Sequence, residues 1–261
     1  MVKLNRIIDF LDSFAPTHLA EDYDNVGLLV GDSEKQIKNV MITLDVDEHV
    51  INDACEKGAD LIISHHPLIF KPIKRLVSDD SVSKSVMSLI KNDISLISVH
   101  TNFDSVKSGL CDLFLDKIAN TLNRVSIDGD EENGIGRIAD LKKTVSLDKL
   151  LSDVKNAFSL NKLQYVGKED KEISKIAVCN GGGADLIYSA KKMGADCFIS
   201  GDFKYHHARF AYENNISLIE VNHYDAEIIF TEYLRTILNE QFDSELNFFL
   251  TDKNKNIWKS F

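Results

Sequence analysis

The sequence predicts an α/β protein built from two pseudo-duplicated units, each a βαβαβ arrangement with a mainly parallel sheet. Two internal repeats lead to this prediction. Residues 37–64 align without gaps on residues 173–200, and both segments have the pattern of a strand, a helix and a strand. A second pair of similar segments begins at Ile94 and at Ile216, which adds a third strand to each copy. Strands joined by helices of this length pair in parallel through right-handed crossovers.

The elements of the first copy follow from short apolar runs and from helix-capping residues. Residues 40–44 and 60–64 are almost continuously apolar, which is typical of strands buried on both faces. Asp47 is expected to cap the helix between them, and Gly58 to end it. The remaining elements predicted for this half are a helix over 4–14 that Pro16 ends, a short strand bounded by Gly27 and Gly31, a helix over 78–92, a strand over 94–99 and a helix over 111–122.

The middle of the chain and the second copy are assigned in the same way. Asp, Glu, Gly and Asn are concentrated around 128–136, and a strand near 136–141, a helix over 147–158 and a strand over 163–166 follow. After the second copy, an apolar stripe at helical spacing predicts a long helix, and 247–251 a last strand. We predict a discontinuous first domain, residues 1–125 plus 221–261, and a second domain, residues 126–220.

Composition excludes several classes of protein. The chain has 261 residues, a hydrophobic fraction of 44% and a formal net charge of −11, so it is expected to fold and to repel nucleic-acid backbones. No apolar run has the roughly 18 residues that span a bilayer, and we expect a cytoplasmic protein without a membrane partner. The four cysteines are isolated in the sequence, which predicts free and mostly buried thiols.

Metal-ligand residue types follow the predicted strands. A single histidine at a strand end is more often a hydrogen-bonded residue than a ligand, but here several recur. Pro67 restricts the residue before it to an extended conformation, which lets two vicinal imidazoles point in different directions. His100 and Asp104 are four residues apart, as are His223 and Glu227. Residues four apart on a helical turn share a face, so each pair can point into one pocket. The two copies supply different residues, which indicates one asymmetric site between the units. The candidates are His65, His66, His100, Asp104, His223 and Glu227.

The motifs SHHPLIF, SVHTNFD, GDFKYHHA and NHYDAE, with the earlier YDNVGLLVG, resemble those of the GTP cyclohydrolase I type 2 family, also called the NIF-three-like family. The similarity covers about residues 20–240. It implies a two-domain α/β protein that assembles into a ring-shaped homohexamer, a trimer of dimers, with two divalent metal ions in each subunit. The ions implied are zinc, iron, manganese or nickel, since mixed histidine and carboxylate ligands suit all four.

The resemblance also implies a role for each candidate residue. His66 and Asp104 would hold one ion, His65 and His223 would hold the other, and Glu227 would bridge the two. His100 would be a catalytic proton-transfer group rather than a permanent ligand.

The function implied by the resemblance is a dinuclear metal-dependent hydrolase that opens the guanine ring of GTP. The alternatives are a metal-dependent phosphoesterase and a non-catalytic metal-binding or regulatory interaction protein. Lys71, Lys74 and Arg75 offer positive charge for a nucleotide, although a solvated surface explains them equally well. Asp24 and Asn25 are expected to support the site, and His206, rather than His207, is expected to face the cleft.

Overall fold

The structure, a computed structural model, describes residues 1–259, so Ser260 and Phe261 of the first predicted domain lie outside the described residues. The helices are α1 (Leu4–Phe14), α2 (Glu48–Glu56), α3 (Ser81–Lys91), α4 (Thr101–Ser105), α5 (Leu110–Ile118), α6 (Leu147–Ala157), α7 (Ile187–Lys192), α8 (Tyr205–Glu213), α9 (His223–Glu227) and α10 (Ile229–Phe242). The strands are β1 (Val2–Lys3), β2 (Gly27–Val30), β3 (Gln36–Ile37), β4 (Asn39–Thr43), β5 (Leu61–Ser64), β6 (Ser95–Ser98), β7 (Thr121–Gly129), β8 (Gly134–Ser146), β9 (Gln164–Val166), β10 (Glu172–Val178), β11 (Cys197–Ser200), β12 (Ser217–Glu220) and β13 (Asn247–Leu250). Two 3₁₀ turns lie at Thr17–Leu19 and Ala184–Leu186.

The first unit contains a five-stranded sheet in the order β13-β4-β5-β6-β2. The first four strands are parallel, and β2 pairs with β6 in the antiparallel direction at the edge. Thr43, Ser64 and Ser98 are register partners at the ends of β4, β5 and β6. The loops that leave these three strands therefore start at the same edge of the sheet, where α/β proteins place their functional groups.

The second unit contains a six-stranded sheet in the order β7-β8-β10-β11-β12-β9. Its centre, β10 to β12, is parallel, whereas β8 and β9 add to it in the antiparallel direction. The predicted α/β class with parallel-rich sheets is thus confirmed. Part of β8 matches the strand predicted near 136–141. The strand β7, and with it the antiparallel hairpin of β7 and β8, was not predicted, because β7 lacks a continuous apolar run and the turn at 130–133 is polar.

The duplication is visible in the elements themselves. In the segments that begin at residues 37 and 173, β5 corresponds to β11. In the segments that begin at Ile94 and Ile216, β6 corresponds to β12 and α4 corresponds to α9. The two members of each of these three pairs have the same length. The predicted cap of α2 is also confirmed, since the Asp47 carboxylate accepts the Val50 N–H at 2.8 Å. All four cysteines are free thiols, and Cys111, Cys179 and Cys197 are buried as expected.

The division of the chain differs in position from the predicted one. The contacts group residues 1–103 with 228–261, and residues 104–227 form the second unit, so the chain changes unit at 103/104 and 227/228. The sequence placed these changes at 125/126 and 220/221. The difference has a packing cause: Phe114, Leu115 and Ile118 of α5, and Val221 and Ala226 near α9, all belong to the hydrophobic core beneath the second sheet.

A buried arginine fastens the start of the second unit. Arg137 on β8 is 1% exposed, and its Nε donates to the Asp112 carboxylate at 2.9 Å. Its Nη2 donates to the carbonyl oxygens of Ser105 and Val106 at 3.0 and 2.9 Å. These are carbonyls at the end of α4, where no helical partner is available. Arg137 therefore joins β8, α5 and the end of α4.

Replacement of Arg137 should destabilise the second unit strongly. Arg137→Met leaves the Asp112 carboxylate with one cationic partner fewer and several buried carbonyls without donors, so the free energy of unfolding should fall by about 3–5 kcal/mol. Urea unfolding followed by circular dichroism measures this loss. Lys107→Met, which breaks the exposed pair of Lys107 and Glu132, is the control and should leave the transition nearly unchanged. Equal effects of the two substitutions would contradict the prediction.

Candidate metal centre

Three histidines of the first unit lie together beyond β5 and β6. His65 and His66 follow β5 directly, and His100 lies two residues beyond the end of β6. The ring centroids are 5.2 Å apart for His65 and His66, 5.1 Å for His65 and His100, and 5.5 Å for His66 and His100. One nitrogen from each ring lies within 4.8 Å of the others, so the group can hold a metal ion.

Each ring of this cluster contacts an oxygen acceptor through Nδ1. His65 Nδ1 lies 2.9 Å from the Val99 carbonyl oxygen, and His66 Nδ1 lies 2.7 Å from Asp45 Oδ1. His100 Nδ1 lies 2.9 Å from both oxygens of Asp24. Because these acceptors require a hydrogen on Nδ1, the lone pair of each neutral ring is on Nε2. Histidines that bind metals in proteins have this arrangement.

The hydrogen bonds around Asp24 keep its carboxylate ionised beside His100. Its side chain is fully buried, and it also accepts from the Thr101 backbone N–H at 3.1 Å, from the Thr101 hydroxyl and from the Asn25 N–H. Burial alone would raise the pKa of Asp24, but the hydrogen bonds from His100 and Thr101 outweigh it and lower the pKa well below its usual value. The structure thus gives Asp24 the supporting position expected from the sequence.

The second unit contains a matching set of ligands. His223 and Glu227 occupy the first and last positions of α9, and His223 Nε2 lies 2.9 Å from Glu227 Oε2. The Nδ1 atom of His223 lies 2.7 Å from Asp202 Oδ2, so a neutral His223 ring has its lone pair on Nε2, whereas a ring protonated on both nitrogens donates to both carboxylates. Asp104 and Glu227 are 7% and 3% exposed. The two carboxylates of this unit are therefore nearly buried, whereas the His223 side chain is 36% exposed.

Asn180 connects the two carboxylates, and sequence reasoning missed it. Its Nδ2 donates to Asp104 Oδ1 at 2.8 Å and to Glu227 Oε1 at 3.0 Å. Its Oδ1 accepts from the Cys111 thiol at 2.9 Å, which fixes the orientation of the amide. One oxygen of each carboxylate is thereby held, and the other oxygen of Glu227 lies against His223 Nε2. The signal available in the sequence was position, because Asn180 lies two residues beyond the end of β10.

Gly181 lies directly against the proposed ligands. Its φ is +58°, and a Cβ atom there would lie 2.0 Å from Glu227 Oε1 and 3.1 Å from His223 Nε2. Only a residue without a side chain allows the backbone to approach the ligands so closely. Gly181, the first glycine of the GGG segment at 181–183, thus serves the carboxylate site.

The pair His206 and His207 gives a useful contrast. With Asp185 these histidines form another group close enough for a metal, and His206 is exposed whereas His207 is buried. However, His207 Nδ1 accepts the Lys204 backbone N–H at 3.0 Å, so its hydrogen lies on Nε2, where Asp185 accepts it at 2.9 Å. This tautomer has no lone pair facing Asp185. We therefore assign His207 a structural role at the start of α8. The hydrogen bond that Asp185 accepts from His207 lowers the pKa of the Asp185 carboxyl group.

Comparison with known proteins identifies the family. The profile of Duf34/NIF3 (NGG1p interacting factor 3) matches residues 2–257. The chain belongs to this family. A relative from Clostridium perfringens, named GTP cyclohydrolase 1 type 2 homolog, is 37% identical over 256 residues, which cover 97% of this chain and 98% of the relative.

Solved structures of this family have the same fold. A Staphylococcus aureus hypothetical protein superimposes with a TM-score of 0.90 at 28% identity, covering 99% of each chain. Reduced HcgD from Methanocaldococcus jannaschii superimposes with a TM-score of 0.82 at 32% identity, covering 96% of this chain and 98% of that one. In residues 1–259 of this family member, none of the helices combines the length and the apolar character needed to cross a bilayer.

The first prediction for this family member concerns Gly181. Gly181→Ala places a methyl group against Glu227 Oε1, so Glu227 must move and the affinity for divalent metal should fall at least about tenfold. Isothermal titration calorimetry with Mn²⁺ or Zn²⁺ measures this change. Gly194→Ala is the matched control, because Gly194 also has a positive φ, of +85°, but no atom within 4 Å of its added Cβ. Equal losses of affinity in both variants would show that backbone strain alone is responsible.

The second prediction tests the histidine tautomers. Asp202→Asn weakens the hold on His223 Nδ1 and should lower divalent-metal affinity about 10- to 100-fold. Asp185→Asn changes the equivalent partner of His207, where the tautomer is reversed, and should leave the affinity unchanged. Equilibrium dialysis with metal analysis compares the two variants. If Asp185→Asn reduces metal binding as much as Asp202→Asn, the tautomer argument is wrong.

Proposed function

We propose that this chain is a dinuclear metal-dependent hydrolase. The observation that carries the proposal is the hydrogen-bond pattern common to His65, His66 and His223. In each, Nδ1 faces an oxygen acceptor, so the lone pair of the neutral ring is on Nε2, the atom that would bind a metal ion. Asp104 and Glu227 add the carboxylates. Such a mixed donor set suits zinc, iron, manganese or nickel.

The family resemblance supports the division of ligands between the ions. His66 and Asp104 are proposed to hold one ion, His65 and His223 the other, and Glu227 to bridge them. Asp104 and Glu227, the two proposed carboxylate ligands, are the first and last residues of the second unit. The homohexamer proposed from the same resemblance can be tested by light scattering.

The proposed reaction is hydrolytic opening of the guanine ring of GTP at C8, with release of formate. The name of the Clostridium perfringens relative supports this substrate. Two divalent ions at a carboxylate bridge would supply an acidic water and a polarised bond. From this chain, His100 would transfer a proton through Nε2. Asp24 accepts from Nδ1 and so keeps the ring oriented for this transfer.

The proposal is tested with protein loaded in turn with manganese, iron and zinc and supplied with GTP. Formate and phosphate release are both measured, and the expected product is formate. Glu227→Gln and His65→Ala should abolish turnover because each removes a ligand, whereas His100→Ala should lower kcat by about 10²–10⁴ without loss of metal. His18→Ala, an exposed histidine of the first unit, is the control and should be fully active.

Other outcomes would indicate the alternative functions. Phosphate released without formate would replace the proposal with a phosphoesterase. Bound metal with no turnover of GTP or of a phosphoester panel above the level of His65→Ala would favour a non-catalytic role.

A further inference from the structure

A cavity of about 560 Å³ lies in the first unit, in the segment that follows the vicinal histidines. This is within the usual size range of small-molecule sites. Its wall is partly apolar, and Phe70 and Val77 are 45% and 43% exposed although they are hydrophobic. The lining residues are Leu68, Phe70, Lys71, Pro72, Ile73, Lys74, Arg75, Val77, Asp80, Val82 and Ser83.

Three cations line this cavity in a chain whose net charge is −11. Within residues 1–259, Lys71, Lys74 and Arg75 form no ion pair, whereas many other cations of the chain are paired with carboxylates. Among the residues that line the cavity, Asp80 is the one with a carboxylate. This carboxylate caps α3 by accepting the Ser83 backbone N–H at 2.7 Å. The cavity therefore has an excess of positive charge.

The backbone of the cavity is held at both ends. Asn25 Nδ2 donates to the Ile69 carbonyl at 2.6 Å, and the Ser83 hydroxyl donates to the Arg75 carbonyl at 3.0 Å. Asn25 directly follows Asp24, the residue that orients His100. One dipeptide thus fastens the cavity segment and the proton-transfer histidine together within the first unit.

We propose that this cavity binds an organic phosphate, with phosphate oxygens on Lys71, Lys74 and Arg75 and a planar ring against the apolar wall. The proposal rests on the proposed function and deepens it, since it assigns the phosphate-recognition part of the substrate site. Charge complementarity selects the anion, and the exposed apolar side chains select a ligand with a ring. A phosphate chain alone would leave the apolar wall in water.

The test measures binding rather than turnover and uses metal-free protein. Kd values for tripolyphosphate, guanosine and GTP are measured by calorimetry in EDTA, for the wild type and for His65→Ala. GTP should bind more tightly than either tripolyphosphate or guanosine, equally in both proteins, and its affinity should fall with added salt. Since no metal is present, a failure of GTP hydrolysis leaves this result unaffected.

Two variants separate the charged and apolar parts. The triple variant Lys71→Gln, Lys74→Gln, Arg75→Gln should raise the Kd of both GTP and tripolyphosphate at least about tenfold. Val77→Ser should weaken GTP about threefold and leave tripolyphosphate unchanged.

The matched control Lys142→Gln, Lys143→Gln, Lys162→Gln removes three exposed lysines of the second unit and should bind as the wild type does. Circular dichroism checks that the variants fold. If the wild type binds neither GTP nor tripolyphosphate at millimolar concentration, or if the two triple variants behave alike, the proposal is overturned.

Discussion

The hydrogen bond at Nδ1 of each candidate histidine is the interaction on which the proposed centre depends. A neutral imidazole has one lone pair, and its position is set by the partner of the other nitrogen. Val99, Asp45, Asp24 and Asp202 each supply an oxygen to Nδ1. His207 has a backbone N–H there instead. Proximity alone groups all these histidines as metal ligands, but the hydrogen-bond partner distinguishes a ligand from a structural residue.

The sheets explain why the acceptors meet the rings. Asp45 lies two residues beyond β4 and His66 two residues beyond β5, and these neighbouring strands end in register at Thr43 and Ser64. The same device recurs in the second unit, where Asp202 follows β11 and His223 follows β12. The separation along the chain is 21 residues in both cases. Parallel pairing therefore turns a regular spacing in sequence into an acid–histidine contact.

The sequence predicted the parallel centre of both sheets, because buried strands such as β5 and β11 are continuous apolar runs between helices. It also predicted which histidines gather in the first unit. It predicted part of β8, as a strand near 136–141, but it did not reveal β7, whose polar residues resemble a loop in composition, and so it missed the hairpin of the two strands. Asp45 and Asp202, unlike Asp24, were missed for a different reason. Asp45 and His66 follow β4 and β5, the first and second strands of their copy. Asp202 and His223 follow β11 and β12, the second and third strands of theirs. Alignment of the copies therefore does not superimpose Asp45 on Asp202.

The two copies diverge most where charge is buried. The first unit contributes three imidazoles, whereas the second places two nearly buried carboxylates, Asp104 and Glu227, on one amide of Asn180. A neutral amide satisfies lone pairs but supplies no positive charge. Contact with the Cys111 thiol, burial and the nearby carboxylates raise the pKa of Cys179 well above its usual value, so Cys179 stays protonated and adds no further negative charge. Burying two carboxylates is strongly unfavourable unless a cation accompanies them. His223, whose Nε2 lies 2.9 Å from Glu227 Oε2, meets that need when the ring is protonated, and a divalent ion at the two carboxylates would meet it when the ring is neutral.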